Sequence, residues 1–186
     1  MEKLTQRKNS YTIREAYKDE YSIIGKLKVD VYSKLEGFPS IDEQPNYYDS
    51  LLHIEKFAEL PKVKLLIAVS ENVDIMGSVV YFGDMKYYGS GGTATEQKNA
   101  AGFRLLAVNC NYRGLGIGKA LTLKCIDIAK SEQKEQLIIH STEAMKIAWN
   151  MYDKLGFKRS KDLDFLQEEL PVFGFRLQLI PTHSQH

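Results

Sequence analysis

A chain of 186 residues, 44% hydrophobic and 26% charged, has the size and composition of one globular domain with a real core. Its 25 basic and 24 acidic side chains nearly cancel to a formal net charge of +1, and they are spread along the chain, which argues against a nucleic-acid partner. No apolar run approaches membrane-spanning length, Met1 to Ser10 is polar rather than signal-like, and Cys110 and Cys125 lack disulfide-framework or metal-ligand spacing, so a cytoplasmic protein without membrane attachment or structural metal is expected.

Tyr11 to Glu15 predicts a first strand. Tyr21, Ile24, Leu27, Val31 and Leu35 then recur at three- and four-residue steps, which predicts an amphipathic helix from about Asp19 to Leu35. Glu36 to Pro45 reads as an acidic loop, and Leu51, Ile54, Phe57 and Leu60 resume helical spacing after it. Val63 to Ser70 and Met76 to Phe82 are β-branched and aromatic runs around the polar Glu71-Asn72-Val73-Asp74, the pattern of an antiparallel hairpin. Gly89 to Gly102 is rich in small residues and predicts a mobile loop. Phe103 to Val108 is the next strand, followed by a glycine-rich turn and a helix starting near Ile117 with the stripe Ile117, Leu121, Cys125 and Ile128. Gln136 to His140 predicts another strand, and Met145, Ala148, Trp149, Tyr152 and Leu155 mark a helix closed by Gly156. Two last strands fit near Phe157 to Ser160 and Val172 to Leu179. This order predicts an α+β fold, one domain over residues 1–186, with a mostly antiparallel sheet of six to seven strands flanked by about four helices.

The turn Arg113-Gly114-Leu115-Gly116-Ile117-Gly118 carries the chemistry. Glycines at 114, 116 and 118 let backbone amides converge without Cβ atoms in the way, and the helix start adds its partial positive charge, so an anionic ligand is expected. Spacing removes two familiar phosphate motifs. The dinucleotide fingerprint would need glycine where Lys119 stands, and the P-loop would need glycine at Arg113 and a hydroxyl residue at Ala120.

The same six residues match the acetyl-CoA motif of the Gcn5-related N-acetyltransferase (GNAT) superfamily, and the resemblance extends to Phe103-Arg-Leu-Leu-Ala-Val108 before the turn and Tyr152-Asp-Lys-Leu-Gly-Phe157 after it. The similar region runs from about residue 63 to 157. The resemblance implies acetyl-CoA as cosubstrate, with no metal, and a primary amine as an unidentified acceptor. It implies that main-chain groups of Leu106, Ala107 and Val108 hold the pantetheine arm and that Arg113, Gly114, Leu115, Gly116, Ile117, Gly118 and Lys119 hold the pyrophosphate. It also implies that the Val108 amide faces the thioester oxygen and that Tyr152 is the general acid, although Tyr152 also lies on a helical stripe that would be buried in any case. Many members carry Asn where this chain has Met145.

No general base stands out. Glu143 sits where a helix dipole favours an acid anyway, and Glu36, Asp42 and Glu43 are loop carboxylates in the region where the family contacts its acceptor. His140 and His53 read as structural, and His183 and His186 fall in a tail expected to fray. Cys125 lies on an apolar stripe, and Cys110 has no histidine partner in sequence, which favours direct attack on the thioester over a cysteine nucleophile. The sequence leaves room for a homodimer, and for an acyl-CoA-binding protein of the same fold with weak catalysis.

Overall fold

The run Val63–Ser70 is apolar at almost every position, as a strand covered on both faces must be. The computed structural model describes residues 10–180, and in it this run is the second strand of a sheet with helices on each side. In chain order the elements are β1 (Tyr11–Glu15), α1 (Tyr21–Ser33), α2 (Pro45–Leu52), α3 (Glu55–Ala58), β2 (Val63–Ser70), β3 (Ile75–Phe82) and β4 (Ala100–Val108). There follow α4 (Ile117–Ser131), β5 (Gln136–Ser141), α5 (Lys146–Lys154), β6 (Lys158–Arg159), β7 (Phe165–Gln167) and β8 (Leu170–Gln178). The strand order is β1-β2-β3-β4-β5-β8-β6, with β7 on β8, and β4–β5 is the parallel pair.

Side chains alternate across the sheet. Leu65, Ile67 and Val69 of β2 join Val80, Phe82 and Leu105 in a core under α1 and α2, where Ile24, Tyr48 and Leu51 are buried. Leu66 and Ala68 join Val79, Tyr81 and Phe103 in the opposite core, closed by Ile117, Leu121 and Cys125 of α4 and by Tyr152 of α5. A hydrogen bond from Trp149 Nε1 to Ser141 Oγ at 2.8 Å ties α5 to the end of β5.

The described residues form eight strands and five helices, one more of each than the sequence pattern predicts. The extra helix arises because the backbone leaves the helical region at His53 (φ −98°, ψ 54°), splitting the Leu51-to-Leu60 pattern into α2 and α3. The extra strand, β7, is too short to carry a readable alternation.

Two further expectations change. The helix expected from Asp19 to Leu35 is regular only over Tyr21–Ser33, after a 3-10 turn at Lys18–Glu20, and its most buried positions are Ile24, Gly25, Lys28 and Tyr32. The face is rotated because α1 packs edge-on at Gly25, where a Cβ would stand 2.2 Å from the Leu52 carbonyl oxygen. The expected mobile loop at 89–102 loses its last three residues to β4, where Ala100 and Ala101 are buried and Gly102 pairs with Phe82 and Ile138. The rest is anchored by the buried Ala94 and by the Thr93 hydroxyl donating to the Asp162 carbonyl at 2.8 Å.

Candidate active site

The site begins with a strand pair that separates. β4 and β5 are paired only at Ala100–Gly102 with Gln136–Ile138, although both strands run on, to Val108 and Ser141. Beyond Gly102, β4 follows β3 instead and passes through a bulge that shifts the register between Ser78 and Val80. Leu105 sits at this bulge with φ +59°, a conformation a leucine adopts only when its surroundings impose it. Two side chains of α1 hold it there: the Lys28 ammonium nitrogen donates to the Leu105 carbonyl, and the Tyr32 hydroxyl donates to the Leu106 carbonyl at 3.0 Å.

Beyond the bulge the ladder fixes which groups face the gap. The Asn109 amide donates to the Met76 carbonyl at 2.9 Å, so by antiparallel alternation Ala107 also turns its polar groups to β3, whereas Leu106 and Val108 turn theirs away from it. The Val108 amide thus faces the gap, while the Leu106 carbonyl already accepts from Tyr32.

At the end of the gap lies the glycine turn. Gly114 and Gly116 both have φ +77°, and no heavy atom lies within 4 Å of where their Cβ atoms would be. Gly116 caps α4, whose first intrahelical bond runs from the Ala120 amide to the Gly116 carbonyl at 2.9 Å, so the amides of Ile117, Gly118 and Lys119 have no partner within the helix. Gly118 differs from the other two: its φ is not positive, and a Cβ there would meet Val108 Cγ2 at 3.5 Å and Leu106 Cδ2 at 4.0 Å, at the floor of the gap.

These parts line one cleft of about 510 Å³. Of the residues singled out in the sequence, Leu106, Val108, Arg113, Gly114, Gly116, Ile117, Gly118, Lys119 and Tyr152 line it. Ala107 is brought to the core beneath, and Leu115 points its side chain outward at 40% exposure, so neither presents a side chain to the cleft. Tyr152 is buried against the rings of Phe103, Phe157 and Phe175, and burial pushes its phenol well above the usual tyrosine range. It therefore stays protonated through the neutral range. Met145 forms a wall here and opens onto a second, smaller chamber.

That chamber, about 80 Å³, shares Tyr32, Leu105, His140 and Met145 with the cleft and continues outward into a pocket of about 500 Å³ through Tyr47, Ser90, Arg104, Phe165 and Gln167. His140 is locked. Its Nε2 donates to the Leu163 carbonyl at 2.8 Å, which leaves Nδ1 to accept from the Tyr88 hydroxyl at 3.1 Å, and burial lowers its pKa, so it is neutral with both nitrogens engaged. The other base candidates are elsewhere. Glu143 faces Lys146 at 3.8 Å, Glu43 accepts from the Ser40 amide, His53 faces Asp49 and Glu55, and none of these or Glu36 or Asp42 lines the cleft or the chamber. Cys110 is exposed, Cys125 is buried with its thiol pushed far up, and His183 and His186 lie outside the described residues.

The family model for the acetyltransferase (GNAT) family matches residues 13–157, from β1 through the cleft to the end of the Tyr152 helix. The chain belongs to the GNAT family of acetyltransferases. Its fold is that of many solved members. A Staphylococcus aureus GNAT acetyltransferase aligns with TM-score 0.70 at 18% identity, covering 92% of this chain and all of that one. A Salmonella typhimurium protein, described as an acetyltransferase with its cofactor acetyl-CoA, aligns with TM-score 0.68 at 18% identity over 95% of this chain and 98% of its own. Curated relatives match over a shorter stretch. An N-acetylaspartate synthetase of Xenopus tropicalis is 35% identical over 63 residues, and one of Danio rerio is 31% identical over 64. Each match spans 34% of this chain and 23% of the relative.

The glycine turn and Tyr152 were candidates in the sequence, whereas Lys28, Tyr32, Tyr47 and Arg104, which the structure sets behind the cleft or around the chamber, were not. Only Arg104 left a signal, as the one charged side chain in the apolar strand Phe103–Val108.

Proposed function

We propose that the protein transfers the acetyl group of acetyl-CoA to a primary amine by direct attack on the thioester. The observation that carries this reading is the unpaired edge of β4, which leads from the Val108 amide to the free amides at the start of α4. Such an edge can accept an extended amide-bearing arm as a further strand would, and a helix start preceded by two left-handed glycines suits a pyrophosphate. Acetyl-CoA has both parts. The glycine positions fit them because no neighbouring atom fills the space above Gly114 and Gly116.

In this mechanism the Val108 amide donates to the thioester oxygen as negative charge gathers on it, a contribution of roughly 3 to 4 kcal/mol for a pre-aimed donor. The amine nitrogen bonds to the carbonyl carbon, the carbon–sulfur bond breaks, and Tyr152 gives its proton to the departing thiolate and regains one from solvent before the next turnover. An alkylamine is neutral in only about one molecule in 2,500 at pH 7, roughly 4.6 kcal/mol uphill. Partial desolvation in the chamber and the nearby Arg104 charge both disfavour an ammonium there, so a bound amine loses its proton more readily than in water without a dedicated base. The proton lost by the amine goes to solvent through the outer pocket.

A cytoplasmic location fits this reading, since acetyl-CoA is at hand and the thiols of Cys110 and Cys125 stay reduced there. Among the described residues no helix is long and apolar enough to cross a membrane, and no group of three potential metal ligands occurs. The proposed mechanism uses no metal and draws its groups from one copy of the chain, while a homodimer stays compatible with it. The curated relatives are named for N-acetylaspartate, an acetylated amino acid, which supports an amino-acid-type acceptor.

A second reading, acyl-CoA binding with weak catalysis, draws on Met145 and on the engaged state of His140. Calorimetry with acetyl-CoA followed by free-thiol detection over an amine panel separates the two. Release of CoA dependent on one class of amine supports transfer; tight binding with no amine-dependent release supports the binding protein.

A further inference from the structure

The chamber beside the thioester end of the cleft has one charge on its walls. That charge is the Arg104 guanidinium, because His140 is held neutral and no Asp or Glu lines the chamber. The outer pocket adds a single acid, Glu168, at the exposed β7–β8 turn. Arg104 is fixed rather than loose: Nη1 donates to the Tyr88 carbonyl at 2.8 Å, and its carbon Cζ lies 5.6 Å from the centre of the Tyr88 ring and 6.0 Å from that of Phe57. Among the described residues no carboxylate pairs with it, whereas Arg14, Arg159 and Arg176 each grip one with two nitrogens.

A second residue on the chamber wall, Thr142, carries a polar group with no partner at all. Thr142 is 5% exposed, and its Oγ1 is buried with no hydrogen bond. A buried hydroxyl without a partner is costly to leave so, and a guanidinium with free N–H groups in a chamber of apolar and aromatic walls is a fork for a carboxylate.

Taking the proposed acetyl transfer as its basis, we infer that the acceptor amine carries a carboxylate and that Arg104 binds it, with the Thr142 hydroxyl as a further donor. Arg104 belongs to both the inner chamber and the outer pocket, so a small amino acid entering from outside can leave its carboxylate on Arg104 and carry its nitrogen inward, past His140 and Met145, to the thioester. The nitrogen–carbon bond then forms and the carbon–sulfur bond breaks as in the parent mechanism, and the carboxylate is unchanged. The same charge excludes polyamines, which would bring further positive charge next to Arg104 with only Glu168 to offset it.

Matched pairs test this: glycine against glycinamide, β-alanine against its amide, aspartate against each of its monoamides, with spermidine as the polycation. The amides have less basic amines and are intrinsically favoured at neutral pH, so a preference for the acids has to come from the protein. The expected kcat/KM ratio favours the acid of the productive pair by at least about 30-fold. Arg104→Gln brings that ratio close to one while KM for acetyl-CoA stays as it was, and Arg104→Lys keeps part of the preference. A merely structural role would lower both members of a pair alike. Equal use of acids and amides by the unaltered protein, efficient acetylation of spermidine, or an unchanged ratio in Arg104→Gln overturns the inference and leaves acetyl transfer standing. If acetyl-CoA binds and no amine of any kind releases CoA, acetyl transfer itself falls, and this inference with it.

Discussion

Gly116 and Gly118 stand two residues apart in one turn, and alanine at each is expected to act in opposite directions on stability. At Gly116 the backbone has φ +77°, and an L side chain there costs about 1 to 2 kcal/mol with no clash to add, because no atom lies within 4 Å of the new Cβ. In a chain of this size each kcal/mol moves the melting temperature by about 2 to 4 °C, so Gly116→Ala melts a few degrees lower. At Gly118 the residue is inside the first turn of α4 with an ordinary φ, and its Cβ meets Val108 Cγ2 at 3.5 Å, a normal contact. Alanine is better than glycine in a helix by about 0.5 to 1 kcal/mol, so Gly118→Ala melts slightly higher. Both weaken acetyl-CoA binding, Gly116→Ala by turning the loop amides away and Gly118→Ala by putting a methyl group on the floor of the cleft above Leu106 and Val108. Differential scanning calorimetry and titration calorimetry on the two variants read the contrast. A Gly118→Ala protein that melts higher and binds acetyl-CoA as tightly as the parent refutes the placement of the ligand against this turn.

Three other perturbations have defined outcomes. Tyr152→Phe removes the proposed proton donor and leaves the ring packing against Phe103 and Phe157, so kcat falls by about 10² or more with KM for acetyl-CoA little changed; full turnover from pH 6 to 9 would remove Tyr152 from the mechanism. Lys28 is fully buried, and desolvation lowers its pKa from 10.5 to about 7. The folded state therefore binds fewer protons than the unfolded one between those values, so stability rises with pH across that window and is lost as pH falls toward 7, by roughly 2 kcal/mol from pH 9 to pH 7. Urea denaturation at both pH values should show this slope in the parent and not in Lys28→Met. Tyr32→Phe frees the Leu106 carbonyl and loosens the splayed end of β4, costing about 1 kcal/mol in stability and weakening acetyl-CoA binding several-fold by titration calorimetry.

The donor side of this protein is written in local sequence because it is made of backbone. A turn with two left-handed residues demands glycine at 114 and 116, a helix start exposes amides wherever it occurs, and both are set by residues adjacent in the chain. Strands fully covered by helices read as apolar runs, so β2 and β3 and the hairpin between them were legible to within a residue. The bulge at Leu105 was not: neither glycine nor asparagine marks it, and its conformation is held by Lys28 and Tyr32, more than seventy residues away. The buried lysine itself defeats the helical stripe, which expects an apolar residue on the inner face of α1. The proposed acceptor side is likewise tertiary. Arg104 from β4, Tyr47 from α2, Thr142 after β5 and Gln167 from β7 meet only when the chain closes. The sequence by itself determined the ligand cradle, since a phosphate is met by main-chain amides whose geometry neighbouring residues dictate. The tertiary structure decided the splay of β4 from β5 and the charge of the chamber beside them, since these depend on side chains brought together across the fold.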